Sequence, residues 1–241
     1  MAGRLYGVGL GPGDPELLTV KAVRLIGACP VIAYFAKAGR RGNARAIADR
    51  YIPAHAEELP LYYPVTTELP FDSPEYLAAL SDFYEAAAAA LTRHLDAGRD
   101  VALLAEGDPL FYGSFMHLFI RLKSQFDCEI VPGVTGMAGC AAAAGAPLTW
   151  GDDVLSVLPG TLPLEALVEK LKLSEAAVVM KLGRNFAKVR RAFAEAGLLE
   201  RAIYVERGTM ADERVLPLRQ VGEVKAPYFS LILLPGQGRR P

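Results

Sequence analysis

Residues 5–19 read LYGVGLGPGDPELLT, and this stretch sets the fold class. A short β-rich run, Leu5–Gly9, passes into glycines at 7, 9, 11 and 13 and then into a helix signal. Asp14 before Pro15 reads as a cap with a first-turn proline, and Thr19 offers a second cap for the helix that follows. The rest of the chain repeats this alternation. Strands are expected at 31–35, 58–62, 101–105, 129–131, 154–158, 177–182, 202–206 and 229–234, with helical patterns between most of them. VALLA at 101–105 is apolar throughout, as a strand covered on both faces should be. Asp72, Pro74 and Glu75 open a long helix that stops at Gly98, and further helices are expected over 112–126, 163–172 and 185–197. The fold class is α/β, in two halves bounded at 1–118 and 119–241. The helix over 112–126 would bridge them.

Composition narrows the function. Hydrophobic residues make up 52% and charged residues 22% of 241, which excludes a disordered chain. Lys plus Arg is 26 against 27 for Asp plus Glu, a net charge of −1, so no general field gathers polyanions. Nucleic acid and membrane surfaces are therefore not the expected partners. Cys29, Cys128 and Cys140 are scattered and form no CxxC, so no disulfide framework is expected and a reducing, cytoplasmic setting is the default. The first residues lack a charged segment followed by a long apolar one, so no signal peptide is expected. The uncharged run Ile130–Gly151 is broken by prolines and glycines and reads as a buried loop and helix. His55, His94 and His117 show no paired ligand spacing, so no metal is expected. The excursion Pro60–Ser73, with three prolines, reads equally as a functional loop or a surface one.

Three motifs carry the chemistry. In GVGLGPGDPELLT the glycines let a ligand approach the backbone and present helix N–H groups. The dinucleotide spacing fails: glycine is required at position 12 or 14, which are Pro and Asp, and no acidic residue closes Phe35–Lys37 to hold a ribose. No GK[ST] follows, so it is not a P-loop. EGDPLFYGS, Glu106–Ser114, follows VALLA, and open α/β sheets bind ligands beyond the carboxyl ends of their strands. Glu106 and Asp108 supply acceptors there. EIVPGVTGMAGCAAAAGAPL, at 129–148, ends a strand at Pro132–Gly133 and lets Thr135 cap a helix of small residues. Those residues suit close ligand approach or tight helix-to-sheet packing equally.

In this order and spacing the three motifs resemble the tetrapyrrole methylase family, and the resemblance covers essentially the whole chain. VVMKLGRN at 178–185, YVERGTM at 204–210 and FSLILLPG at 229–236 are similar as well. The resemblance implies two α/β domains with the active site in the cleft between them, a non-Rossmann site for S-adenosylmethionine with S-adenosylhomocysteine as product, a reduced tetrapyrrole substrate and a homodimer. The first domain would hold the substrate and part of the cofactor, the second the remaining cofactor contacts. It further implies cofactor contacts, many through the main chain, at Leu10, Glu106, Gly107, Asp108, Pro109, Ser114, Phe115, Val134, Thr135, Gly136, Met180, Lys181, Leu182, Arg207, Gly208, Thr209, Ser230 and Leu231. Methyl transfer to a meso carbon needs in-line placement and the loss of a proton, for which Glu106, Asp108 and Tyr112 are candidates by position. Gly11, Pro12, Gly13 and Asp14 are expected to meet the substrate. Its carboxylates need cations, and Lys37, Arg40, Arg41 and Arg45 form a basic cluster suited to them, or else a solvated face. Two other readings stay open: a sister methylase acting on another ring position or on a cobalt-containing intermediate, and a module that binds a tetrapyrrole without turnover.

Overall fold

A computed structural model describes residues 1–64, 73–222 and 225–238. The chain divides into two compact units, Met1–Thr135 and Gly136–Pro241. In the first, β1 Leu5–Gly9, β2 Val31–Lys37, β3 Glu57–Tyr63, β4 Val101–Ala105 and β5 Cys128–Val131 form a parallel sheet in the order β3-β2-β4-β1-β5. Its helices are α1 Val20–Ala28, α2 Asn43–Ile47, α3 Pro74–Asp96 and α4 Phe115–Leu122. Both expected caps before α1 are used. The Asp14 side chain accepts from the Glu16 N–H (2.8 Å) at a 3-10 turn, and Thr19 accepts from the Ala22 N–H (3.1 Å). Ser73 caps α3, accepting from the Tyr76 N–H at 3.2 Å, while Asp72 lies outside the described residues. The middle of the Pro60–Ser73 excursion, 65–72, lies outside them too; Pro60 belongs to β3.

Every residue of β4 is buried, as its apolar composition requires. α3 lays Phe83, Tyr84, Ala87, Ala88, Leu91 and Leu95 into the same core, joined by Phe115, Leu118 and Leu122 of α4. α4 is therefore not a bridge between units. The boundary lies at Thr135, not at residue 118, because β5 pairs with β1 and completes the first sheet. Parallel pairing joins strands far apart in sequence, so local pattern does not show which unit a short strand completes.

The second unit comprises α5 Gly136–Ala143, β6 Leu155–Pro159, α6 Leu164–Leu173, β7 Ala176–Met180, α7 Phe186–Glu195, β8 Ile203–Glu206, β9 Arg214–Pro217 and β10 Ser230–Leu234. The strand order is β6-β7-β10-β8-β9; β6 and β7 are parallel and the other pairs antiparallel. Its core is built by Leu167, Leu171, Phe186, Val189, Phe193 and Tyr204, among others. β9 was not expected from the sequence. Its four residues, RVLP, are too few to display a period of two. Among the described residues, no helix is long and apolar enough to cross a membrane.

Candidate functional site

In the first unit the three glycine-bearing motifs meet at one edge of the sheet. β1 lies between β4 and β5, with Gly9 opposite Ala105 and Val8 opposite Val131, so the loops leaving these strands are neighbours. Connections leave the adjacent strands β1 and β4 in opposite directions along the sheet, the arrangement that opens a ligand crevice at the carboxyl ends. The Gly107 N–H donates to the Gly11 carbonyl (2.8 Å), and the Gly11 N–H to the Gly107 carbonyl (3.2 Å). A Cβ on Gly133 would stand 2.1 Å from the Gly107 oxygen, and one on Gly9 would stand 2.6 Å from the Gly133 nitrogen. Three backbones thus touch with no side chain between them. Asp108 pins the contact: one carboxylate oxygen accepts from the Leu110 N–H (2.9 Å), the other from the Gly133 N–H (3.1 Å).

Several of the expected cofactor residues here are core residues. Leu10 is fully buried and donates its N–H to the Ala105 carbonyl at 3.0 Å. Phe115 is fully buried beneath β1, where a Cβ on Gly7 would lie 2.3 Å from its ring. Side chains so placed leave only the main chain to meet a ligand. Pro109 is buried, while Ser114 opens α4 and receives a hydrogen bond from the Tyr63 hydroxyl. Leu110, Tyr112 and Val134 on these loops are exposed, and Glu106 is half-buried.

The three candidate proton carriers differ. The Glu106 carboxyl accepts from the Ala44 N–H and from its own, and enclosure by protein pushes its pKa up, because desolvation outweighs those bonds. Asp108 is occupied on both oxygens by main-chain N–H groups, which makes it a bracket between loops. Tyr112 is exposed, on a left-handed backbone of φ 55°.

The basic segment after β2 is ordered by its own ion pairs. Arg45 reaches Glu58 on β3 through two bonds of 2.6 Å and Asp49 at 2.7 Å, and the Tyr34 hydroxyl donates to Glu58 at 2.9 Å. The guanidinium holds the Glu58 carboxyl below the usual range; burial first, and Glu58 second, push the Tyr34 phenol up to about 12. Arg41 pairs with Asp49, and Lys37, Arg40 and Arg41 are exposed. The Tyr51 hydroxyl donates to the Pro15 carbonyl at 3.2 Å, tying the segment to the Gly11–Asp14 turn. That bond links the stretches that follow the two groups of expected substrate residues, and Arg45 is committed to Glu58 and Asp49.

In the second unit, β10 runs antiparallel between β7 and β8. This places Met180–Leu182, Arg207–Thr209 and Ser230–Leu231 at one edge of that sheet. Leu182, Gly208 and Leu231 are buried, and the Ser230 hydroxyl donates to the Pro227 carbonyl at 2.6 Å. Among the described residues, the non-glycine residues in the left-handed region are Tyr112, Lys181, Arg207 and Thr209, with φ of 55°, 58°, 48° and 72°. Each costs on the order of 1–3 kcal/mol, and such strain concentrates at ligand clamps. All four lie on segments the sequence had singled out. Sequence reading missed Glu206, a buried carboxylate beside this turn. Its signal was a charged residue closing the apolar run AIYV.

Glycine-packed, backbone-lined loops at the carboxyl edge of an open parallel sheet, without a dinucleotide fingerprint, define an α/β ligand-binding enzyme. The profile described as Tetrapyrrole (Corrin/Porphyrin) Methylases matches residues 4–222. The chain belongs to that family. It is 56% identical over 239 residues, 99% of this chain and 98% of the relative, to a Precorrin-2 C(20)-methyltransferase of Sinorhizobium sp.. It is 54% identical over 238 residues, 99% of this chain but 47% of the relative, to the Cobalamin biosynthesis protein CobIJ of Mycobacterium bovis; it spans about half of that protein. A uroporphyrin-III C-methyl transferase from Thermus thermophilus, solved in complex with S-adenosylhomocysteine, superposes with a TM-score of 0.66 at 26% identity, covering 97% of this chain and 92% of the other.

Proposed function

We propose that this chain transfers a methyl group from S-adenosylmethionine to C-20 of metal-free precorrin-2, giving precorrin-3A on the route to cobalamin. The observation that carries the substrate is 56% identity, along nearly the full length of both chains, to a protein named for that reaction. The site residues fit the cofactor. Main-chain groups at Gly107 and Gly133 lie in glycine-lined loops, and Gly136 opens α5, where a Cβ would meet nothing within 4 Å. Exposed apolar Leu110 and Val134 on the same loops suit a ligand with an apolar part. When bound, the sulfonium supplies an already activated methyl group.

The remaining work falls to this chain's residues. Glu106, Gly107, Pro109, Ser114, Val134 and Thr135 of the first unit and Gly136, which opens the second, are proposed cofactor contacts, with Leu10, Asp108 and Phe115 shaping the loops. Met180, Lys181, Leu182, Arg207, Gly208, Thr209, Ser230 and Leu231 are those of the second. Glu106 is the proposed acceptor of the proton released at the methylated carbon, since its raised pKa suits a base, while both Asp108 oxygens are engaged by main-chain N–H groups. Tyr112 is assigned a place along the substrate. Gly11, Pro12, Gly13, Asp14, Lys37, Arg40 and Arg41 are proposed to hold the macrocycle and its carboxylates, with Arg45 fixing the segment that carries them. A cytoplasmic homodimer is the proposed setting.

The test is an anaerobic incubation with methyl-labelled S-adenosylmethionine and metal-free precorrin-2, read by carbon NMR. Label at C-20 is expected. Label elsewhere assigns the chain to a sister step; no transfer with precorrin-2, but transfer with its cobalt complex, assigns the metallated substrate. Bound tetrapyrrole with no loss of the methyl donor overturns the enzymatic reading.

A further inference from the structure

Glu206 and Ser230 are the buried polar residues among those described, and Glu206 is 5% exposed. It closes β8, with Ser230 of β10 opposite it on one side and Arg214 of β9 on the other. One carboxylate oxygen accepts from the Tyr204 hydroxyl at 2.8 Å. The other accepts from Arg207 and Arg214, each at 3.2 Å. A buried ion pair is a poor source of net stability, because desolvation offsets most of the attraction. Its placement is more informative. The next three residues, Arg207, Gly208 and Thr209, include two non-glycine residues in the left-handed region. Something must hold them there.

The restraints are visible. The Arg207 N–H donates to the Phe229 carbonyl at 2.8 Å, and its guanidinium reaches Asp212 at 2.8 Å as well as Glu206. The Thr209 N–H donates to the Glu213 carboxylate at 2.8 Å. Gly208 packs so closely on α5 that a Cβ there would stand 2.8 Å from the Cys140 sulfur. The Arg207 side chain is thus folded back onto the protein, and the Arg207 and Thr209 N–H groups are spent within it.

We propose that Glu206 is a positioning residue for the cofactor: by holding the Arg207 guanidinium, it keeps the Arg207–Thr209 turn in its strained, left-handed form. This rests on the reading of that turn as a cofactor contact. The Glu206 carboxylate is spent on Tyr204, Arg207 and Arg214, and acts through Arg207.

The test compares wild type, Glu206→Gln, Arg207→Met and the double variant. Calorimetry gives the Kd for S-adenosylhomocysteine, and steady-state kinetics give KM for each substrate and kcat. Gln keeps the size and the acceptor for Tyr204 but removes the charge. Each single variant is expected to raise the S-adenosylhomocysteine Kd and the S-adenosylmethionine KM about tenfold, with the tetrapyrrole KM changed less than twofold. The double variant is expected to be no worse than either, because both break one strap. A purely structural network would lower the yield of folded protein without that split. Wild-type affinity in folded Glu206→Gln overturns the proposal, and so does a double variant whose losses multiply. If Glu206→Gln does not fold, Arg207→Met decides: weakened binding supports the strap, unchanged binding overturns it. A wild-type protein that does not bind S-adenosylhomocysteine takes down the cofactor reading itself, and this inference with it.

Discussion

Glu106 and Asp108 stand two residues apart on one turn and face different surroundings. Asp108 spends both oxygens on main-chain N–H groups of two loops. Glu106 has no cation among the groups that shift it, and burial raises its pKa. A raised carboxyl is favoured protonated in the fold. Its cost to stability is absent below the unfolded value, grows as pH rises through the folded value, and is complete above it. Glu106→Gln removes that cost, so its Tm at neutral pH is expected to be equal to or above wild type. Its kcat is expected to fall by roughly 10²-fold or more, the usual contribution of a positioned base. The wild-type acid limb of the kcat profile should vanish in the variant. A retained limb would assign the proton to another group. Asp108→Ala leaves the Gly133 and Leu110 N–H groups without acceptors, at about 1–3 kcal/mol of stability. Chemical denaturation gives that loss, and calorimetry should show weaker binding of S-adenosylhomocysteine, since the loops it brackets line the proposed cofactor site.

At the scale of elements, the short helix α2 and the strand β3 are joined by Arg45 and Glu58. The Glu58 carboxyl sits below its ordinary value near 4.5 because of that guanidinium. Its contribution is therefore complete above the unfolded value and is lost as pH falls through the lower folded value. Arg45→Met is expected to lose about 1–3 kcal/mol at neutral pH, as for a hydrogen bond to a charged group. Its deficit relative to wild type should shrink in acid, which denaturation at pH 7 and pH 3 would show. Arg40→Ala with Arg41→Ala removes exposed cations instead. That pair is expected to raise the tetrapyrrole KM several-fold while the Kd for S-adenosylhomocysteine stays within twofold. The reverse pattern would place the carboxylate clamp elsewhere. Helix caps were legible at this scale because they are local: Asp14 and Thr19 each act within three residues. Strand β9 was not, since four residues closed by proline look the same as a turn.

At the scale of the whole molecule, each unit owns a core, yet the proposed cofactor contacts come from both. Hydrogen exchange with and without S-adenosylhomocysteine is the direct check. Protection is expected at 106–109 and 133–135 in the first unit and at 136, 180–182 and 207–209 in the second. Protection confined to one unit would remove the other from the site. Binding at a hundredfold excess over Kd should also stabilise the protein by about 2.7 kcal/mol, seen as a raised Tm.

The amino-acid sequence by itself determined the α/β class, most strands and helices, and the three motifs at strand ends. Those follow from apolar periodicity, capping residues and glycine spacing, which act over a few neighbours along the chain. Tertiary structure alone decided that Gly9, Gly107 and Gly133 pack backbone to backbone, because parallel pairing joins strands about a hundred residues apart. It also decided that Arg45 is held by Glu58, that Asp108 is a bracket, and that Glu206 lies buried beside a strained turn. A charge along a sequence carries no record of what it will face. Its role as clamp, base or strap depends on the partners and the solvent that folding leaves around it.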